Sequence, residues 1–272
     1  MEVGFSSYSG ADFLAFYAAL IGAAIIASVW MPAYLRPDGR MSDVRDAEAL
    51  AYLAGRYRRF VESVVATLFG RGDLRVESRH IIKSLHAQGE TPAEKALLRV
   101  VGDISWSAAK SSLDAHANAM RRELERKGLL IAEGERLYHR VMPALPFAFL
   151  LLLGAFRWQA GSAQGEPVGY LTMLMLVTLV LGLIRLVKFN PRTRAGEQVL
   201  ESARTEAQRL RSATPANETG LAVGLFGTAV LVGTPYAPLH AMNKSNAAGG
   251  GSSTGDGDGG GGCGGGCGGC GG

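Results

Sequence analysis

Three cysteines, Cys263, Cys267 and Cys270, are the residues of this chain whose type and spacing suggest chemistry most directly. They form C-x3-C-x2-C inside a stretch of glycine, serine, threonine and aspartate. Thiolates are soft ligands, so three on a flexible chain could hold zinc or Cu(I), with a fourth ligand supplied from elsewhere. The same thiols could pair by oxidation, carry a lipid, or be modified by an enzyme acting on a peptide-like tail. The alternative without chemistry is an idle low-complexity extension. Beyond this candidate metal set, no cofactor is expected.

The spacing also occurs in radical-SAM enzymes, where three thiolates hold a 4Fe–4S cluster. Such enzymes need a large α/β barrel around the motif, and this sequence ends two residues after Cys270, so that reading is rejected. From Gly249 to Gly272, sixteen of twenty-four residues are glycine. Such a segment buries almost nothing apolar and loses the most backbone entropy on ordering, which predicts a disordered tail. Elsewhere no catalytic constellation emerges. His80, His86, His116, His139 and His240 fall in no ligand spacing, and there is no G-x-S-x-G, Walker A or Rossmann fingerprint. No enzyme is expected.

What must position the tail is a set of apolar blocks. Residues 13–35 are uncharged, and twenty-three helical residues rise about 34 Å, enough for a hydrocarbon core of about 30 Å. The acidic Glu2 and Asp12, with no basic residue before the run, favour a retained span over a signal peptide. Trp30 and Tyr34 suit a headgroup-level interface. Residues 141–158 and 167–184 read as two further spans joined by a polar link, 159–166, into a hairpin. The uncharged core of the first, 141–156, is short, so Arg140 and Arg157 must snorkel outward along their apolar stems.

Charge orients these spans. The first twelve residues hold no Lys or Arg, 36–140 holds nineteen of the chain's twenty-eight, the hairpin tip holds Arg157, and 185–211 holds seven. Basic residues stay on the cytoplasmic side. The expected arrangement is a multi-pass protein of the cell's inner membrane, with residues 1–12 outside and 36–140 inside. Residues 185–242 and the tail, 243–272, are also expected inside. The net charge of +4 is too mixed to mark a nucleic-acid arm, since 36–140 carries fifteen acids beside its nineteen bases.

Within 36–140 the pattern is helical with brief strands. Asp46 and Gly55 bracket a short helix by their cap preferences, and Phe60, Val61, Val64, Val65 and Leu68 form the stripe of a second. Gly70-Arg71-Gly72 stops it, and strands are expected at Leu74–Val76 and Ile81-Ile82. Helices at 93–101 and 108–127, then a strand at 129–131, repeat the order. The expected fold is therefore mainly α, with three spans, a cytoplasmic helical domain of two winged-helix-like halves, and a disordered tail. A charged helix at 193–213 carries a narrow apolar stripe, expected to dock within the chain. The apolar run Leu221–Val232, followed by Gly233-Thr234-Pro235, is too short for a span and is expected to pack on the domain or lie at the interface.

Three short stretches resemble an uncharacterised bacterial membrane-protein family. They are Ala51-Tyr52-Leu53-Ala54-Gly55, Gly128-Leu129 and Phe226-Gly227. Members of that family commonly finish in Gly/Cys-rich tails. The resemblance covers about residues 40 to 232 plus the style of the tail; it implies the architecture and no activity.

The leading expectation is a non-enzymatic integral membrane protein whose cytoplasmic domain is an interaction module presenting the Gly/Cys tail. Its partners would be the lipid bilayer and a protein partner or tail-modifying enzyme. A metal- or redox-responsive membrane protein using the tail thiols is the second reading. A membrane-tethered transcription regulator is the third. Nucleic acid is not an expected ligand, because Glu62, Glu123 and Glu125 sit among the arginines a reading helix would need.

Overall fold

The computed structural model describes residues 10–77, 80–163, 169–212 and 214–249; Cys263, Cys267 and Cys270 lie outside them. Among the described residues the protein is mainly helical, and three helices are long and apolar enough to cross a membrane. The first is α1 (Gly10–Leu35). In the helical domain α2 (Ala47–Gly70) leads into an antiparallel hairpin, β1 (Leu74–Glu77) and β2 (His80–Lys83). Next come α3 (Pro92–Leu98), α4 (Trp106–Arg126) and α5 (Glu133–Val141). The other two membrane-length helices are α6 (Leu145–Ala163) and α7 (Gly169–Val187). The chain then returns to the domain through α8 (Arg194–Glu206), α9 (Thr219–Phe226) and α10 (Ala237–Gly249).

The three long helices form their own small core from Phe13, Tyr17, Ile21, Ala24, Phe147, Leu150 and Leu171. With lipid-like surroundings giving no hydrophobic drive between helices, close packing and internal hydrogen bonds must hold them. Tyr17 donates to the Leu150 carbonyl at 3.1 Å, and Gly154 lets Tyr17 and Met175 approach. Outward-facing Ile26, Phe149, Leu152, Met173 and Leu176 are exposed, as a lipid-facing surface requires. Trp30 and Tyr34 are exposed at one end of the bundle, Trp158 and Tyr170 at the other. The α6 helix runs 19 residues, about 28 Å, so the short second block is lengthened. It takes in Gln159–Ser162, which the sequence pattern assigns to the polar link.

In the domain, Asp46 caps α2 by accepting from Glu48 and Ala49 backbone amides. Helical geometry then breaks at Gly55 and Arg56, where the sequence pattern places a helix end. The positive φ falls on Arg56 (φ 55°) rather than on the glycine. Gly55 is needed for space instead: a Cβ there would meet Arg59 Cγ at 2.1 Å. The break leaves carbonyls of a helix C-terminus without partners. Arg192, just beyond α7, supplies them. Its Nε donates to the Leu53 carbonyl at 2.5 Å, and its terminal nitrogen to that of Ala54. Arg56 reciprocates by donating to the Phe189 carbonyl. The paired arginines clasp the end of the third membrane-length helix to the middle of α2.

The stripe residues Phe60, Val61, Val64, Val65 and Leu68 are all buried, and so are Ala195, Leu200, Ala207 and Leu210 along and just after α8. The segment Leu221–Val232 is resolved into α9, packed on α2, and a 3-10 turn at Thr228–Leu231 that packs on α9 and α10. Eight residues rise about 12 Å, far short of a span. Gly220 faces Thr67 and the Ser63 carbonyl, where a Cβ would lie 1.8 Å from Thr67 Oγ1; Gly224 faces Ala51 in the same way at 2.8 Å. Ser63 donates to the Gly220 carbonyl at 2.8 Å. Helix α9 therefore seats backbone against backbone on α2.

Several boundaries differ from the sequence pattern: α3 ends at Leu98 where 101 is expected, and α8 ends at Glu206 before a 3-10 turn at Gln208–Arg211 where one helix over 193–213 is expected. Residues 129–131 form no strand of a hairpin; Leu130 makes an isolated bridge to Arg192. Helix α10 carries order on to Gly249, past the point at 243 where the tail is expected to begin. The reason lies in what Asn243 touches.

Candidate functional site

A buried polar cluster sits where α2, α9 and α10 meet. Its centre is Glu62, 1% exposed, one turn into the second segment of α2 among Phe60, Val61, Val64 and Val65. A buried carboxylate is costly unless both charge and lone pairs are met. Arg58 Nε donates to Glu62 Oε1 at 2.8 Å across one helical turn. Arg59 Nη1 stands 3.7 Å from Oε2 and also donates to the Val223 carbonyl of α9 at 3.4 Å.

The third contact comes from far along the chain. Asn243 Nδ2, on α10, donates to Glu62 Oε1 at 2.9 Å and to Thr228 Oγ1 at 3.3 Å. Thr228 Oγ1 in turn lies 3.0 Å from His240 Nδ1. Asn243 and Thr228 are both buried. The set Arg58, Arg59, Glu62, Thr228, His240 and Asn243 therefore ties the last described helix to the domain core. Chemically it is an ionic knot that fixes α10, the helix that precedes the Gly/Cys-rich segment.

A second polar chain braces the far side of α2. Arg71 donates to Glu94 Oε2 at 2.5 Å and pairs with Asp73 and Glu90. Glu94 closes a capping box with Thr91 at the start of α3, and the Thr91 hydroxyl donates to Glu48 Oε1. Burial pushes the Glu48 carboxyl up to about 7; the neighbouring Asp46 and Glu94 add to the rise, and the Thr91 hydroxyl opposes it.

Of the metal candidates, Cys263, Cys267 and Cys270 lie outside the described residues, so their geometry is not part of this site. Among the described residues no group of three His, Cys, Asp or Glu could hold a metal ion. His240 is the one histidine drawn into the cluster. The knot has only a faint trace in the sequence. Its local signal is a lone glutamate in an otherwise apolar or small run, and its partner Asn243 lies 181 residues away.

Gly224 lies beside Ala51, and Gly227 beside Arg59. Compared with protein-family models, with curated proteins and with solved structures, the chain matches none.

Two outcomes are expected. Asn243→Ala leaves Glu62 Oε1 short of a buried donor and should lower domain stability by about 1–3 kcal/mol. Amide exchange in α10 should rise with it; exchange unchanged from wild type would contradict the knot. Glu48, with its folded value raised above the ordinary 4.5, binds its proton more tightly folded than unfolded. Its contribution is fully present below about pH 4.5 and is lost as pH rises through about 7. Thermal melts of Glu48→Gln should gain on wild type at about pH 8 and not at about pH 4; parallel curves would refute the assignment.

Proposed function

We propose that this is a non-enzymatic, multi-pass inner-membrane protein whose cytoplasmic helical domain holds a Gly/Cys-rich tail at a set place beside the bilayer. Its direct partner would be a protein or modifying enzyme that meets the tail. The observation that carries this reading is the anchoring of α10 by Asn243 to buried Glu62. A helix fixed in this way gives the tail a defined root. The Arg192–Arg56 clasp supports it from the other side, because it couples the same domain to the end of α7.

In this reading α1, α6 and α7 span the membrane, with residues 1–12 outside and the domain inside. Supporting the orientation is the charge contrast across each span, none against nineteen, nineteen against one, and one against seven. The burial of α9 supports a three-span count, which leaves the tail on the same side as the domain. Membership of the uncharacterised family of Gly/Cys-tailed membrane proteins belongs to this proposal and rests on the three quoted stretches.

The winged-helix reading of the halves draws support from α2 followed by the β1–β2 hairpin, α3 and α4, with Ile81 bridging Ile104. In the second half α3 and α4 supply the two helices, and the strand would rest on Leu129–Ile131 alone, where Leu130 bridges Arg192. Protein contact is favoured over DNA contact by where the arginines go. Arg58 and Arg59 turn to Glu62, and Arg121 is paired with Glu125 and Glu133.

A membrane-impermeant maleimide tests the topology. Applied to intact cells, it should leave Cys263, Cys267 and Cys270 unlabelled, and it should label them after lysis, since cytosolic thiols stay reduced. Labelling in intact cells would put the tail outside and overturn the reading.

A further inference from the structure

A cavity of about 510 Å³ opens where the ends of α1, α5 and α7 meet the start of α8. Its lining holds Arg36, Arg140, Arg185, Lys188 and Arg194, with His139 beside them, and contains no carboxylate. Two of these cations are neutralised nearby: Arg36 pairs with Glu197, and Arg194 with Asp38 at 2.9 Å. Among the described residues the other three meet no acid. Arg140 Nε donates to the Leu186 carbonyl at 2.8 Å, Arg185 to that of Ser28, and neither contact cancels charge. Arg185 Nε is buried without a hydrogen-bond partner among the described residues. Burial, with Arg194 beside it, lowers the Arg36 guanidinium from its ordinary value, as in a site crowded with like charge.

Like charges gathered in one cavity repel, and the arrangement is costly unless an anion sits among them. The remaining wall indicates which anion. Val29, Pro32 and Leu35 of α1, with Pro143 and Phe189, make it apolar, and Val29 is exposed on the outside of α1. A free inorganic anion has no use for that wall, whereas an acyl-bearing phosphate uses both halves. The height is also right. Leu35 and Val187 end two membrane-length helices, Pro143 precedes the third, and phospholipid phosphates lie at that level.

We infer that this cavity binds the phosphate headgroup of an anionic phospholipid, with Arg140, Arg185 and Lys188 as its principal cations. The inference rests on the reading that α1, α6 and α7 span the membrane. Occupancy would place a lipid beside Phe189 and Arg194, next to Arg192, so the lipid would brace the junction between spans and domain.

The test uses full-length protein in an uncharged detergent, titrated with short-chain phosphatidylglycerol, short-chain phosphatidylcholine, or inorganic phosphate, and read by native mass spectrometry and thermal shift. Arg140→Gln/Lys188→Gln removes two exposed cations without touching either core. Arg75→Gln/Arg99→Gln removes two exposed cations of the domain as a control. Phosphatidylglycerol should bind and raise the melting midpoint, and phosphatidylcholine should bind far more weakly. The pocket double variant should bind phosphatidylglycerol about 25-fold more weakly, at about fivefold per charge, with the control pair unchanged. Equal binding by wild type and the pocket variant would overturn the inference, as would equal binding of the two lipids. Inorganic phosphate competing as well as the lipid would reassign the site to a free anion and overturn the lipid assignment. These failures are distinct from failure of the spanning reading, which would show as release of the protein from membranes by alkaline carbonate.

Discussion

An eight-residue helix that is apolar on every side has few places to go. Helix α9 is too short to cross a bilayer and too apolar to face water, so protein must bury it. Helix α2 supplies the surface. Gly220 and Gly224 on one side, Ser63, Thr67 and Ala51 on the other, bring the two backbones close enough for Ser63 to reach the Gly220 carbonyl. This contact joins the start of the domain to its end, across more than 150 residues that include two of the three membrane-length helices. The place of α10 and the seat of Arg59 on Val223 both depend on it.

Around this packing the charged residues act as ties rather than as a solvated coat. Glu62 holds α10 to α2, Arg192 and Arg56 hold the domain to the end of α7, and Arg71 with Glu94 holds α3 to the end of α2. Each tie meets a group that burial or a broken helix would leave unsatisfied, which is where a hydrogen bond to a charge contributes most. The cations near the ends of α1, α5 and α7 differ, since three of them face no carboxylate among the described residues. That contrast separates a structural ionic network from a surface waiting for an anion.

Local patterns were legible and long-range ones were not. Asp46, Gly55 and Gly70-Arg71-Gly72 marked both segments of α2, and the hairpin and α4 followed from short apolar alternation and a glycine stop. The first membrane-length helix was equally plain, because twenty-three uncharged residues have few other uses, whereas the second had only sixteen. The bend at Gly55 was visible, but the strained backbone at Arg56 was not, since nothing in residue type announces that Arg192 will satisfy the carbonyls before it. The fate of Leu221–Val232 was ambiguous for the same reason: whether twelve apolar residues lie on a domain or at an interface is decided by the groove that receives them. The candidate site was the least legible part. Glu62 reads as a charge on a helix, and its partners come from α9 and α10. The thiols whose spacing is most suggestive lie outside the described residues.

The central claim is that α9 and the turn after it belong to the domain and not to the bilayer. A single cysteine at Val232, which is exposed just after α9, measures this in protein whose tail cysteines are replaced by serine. Inside-out membrane vesicles would be treated with a membrane-impermeant maleimide, with Val101→Cys as an exposed domain reference and Leu152→Cys as a lipid-facing one. The account predicts that Val232→Cys reacts at a rate close to that of Val101→Cys, while Leu152→Cys stays unlabelled. A Val232→Cys as unreactive as Leu152→Cys would place this segment in lipid and contradict it.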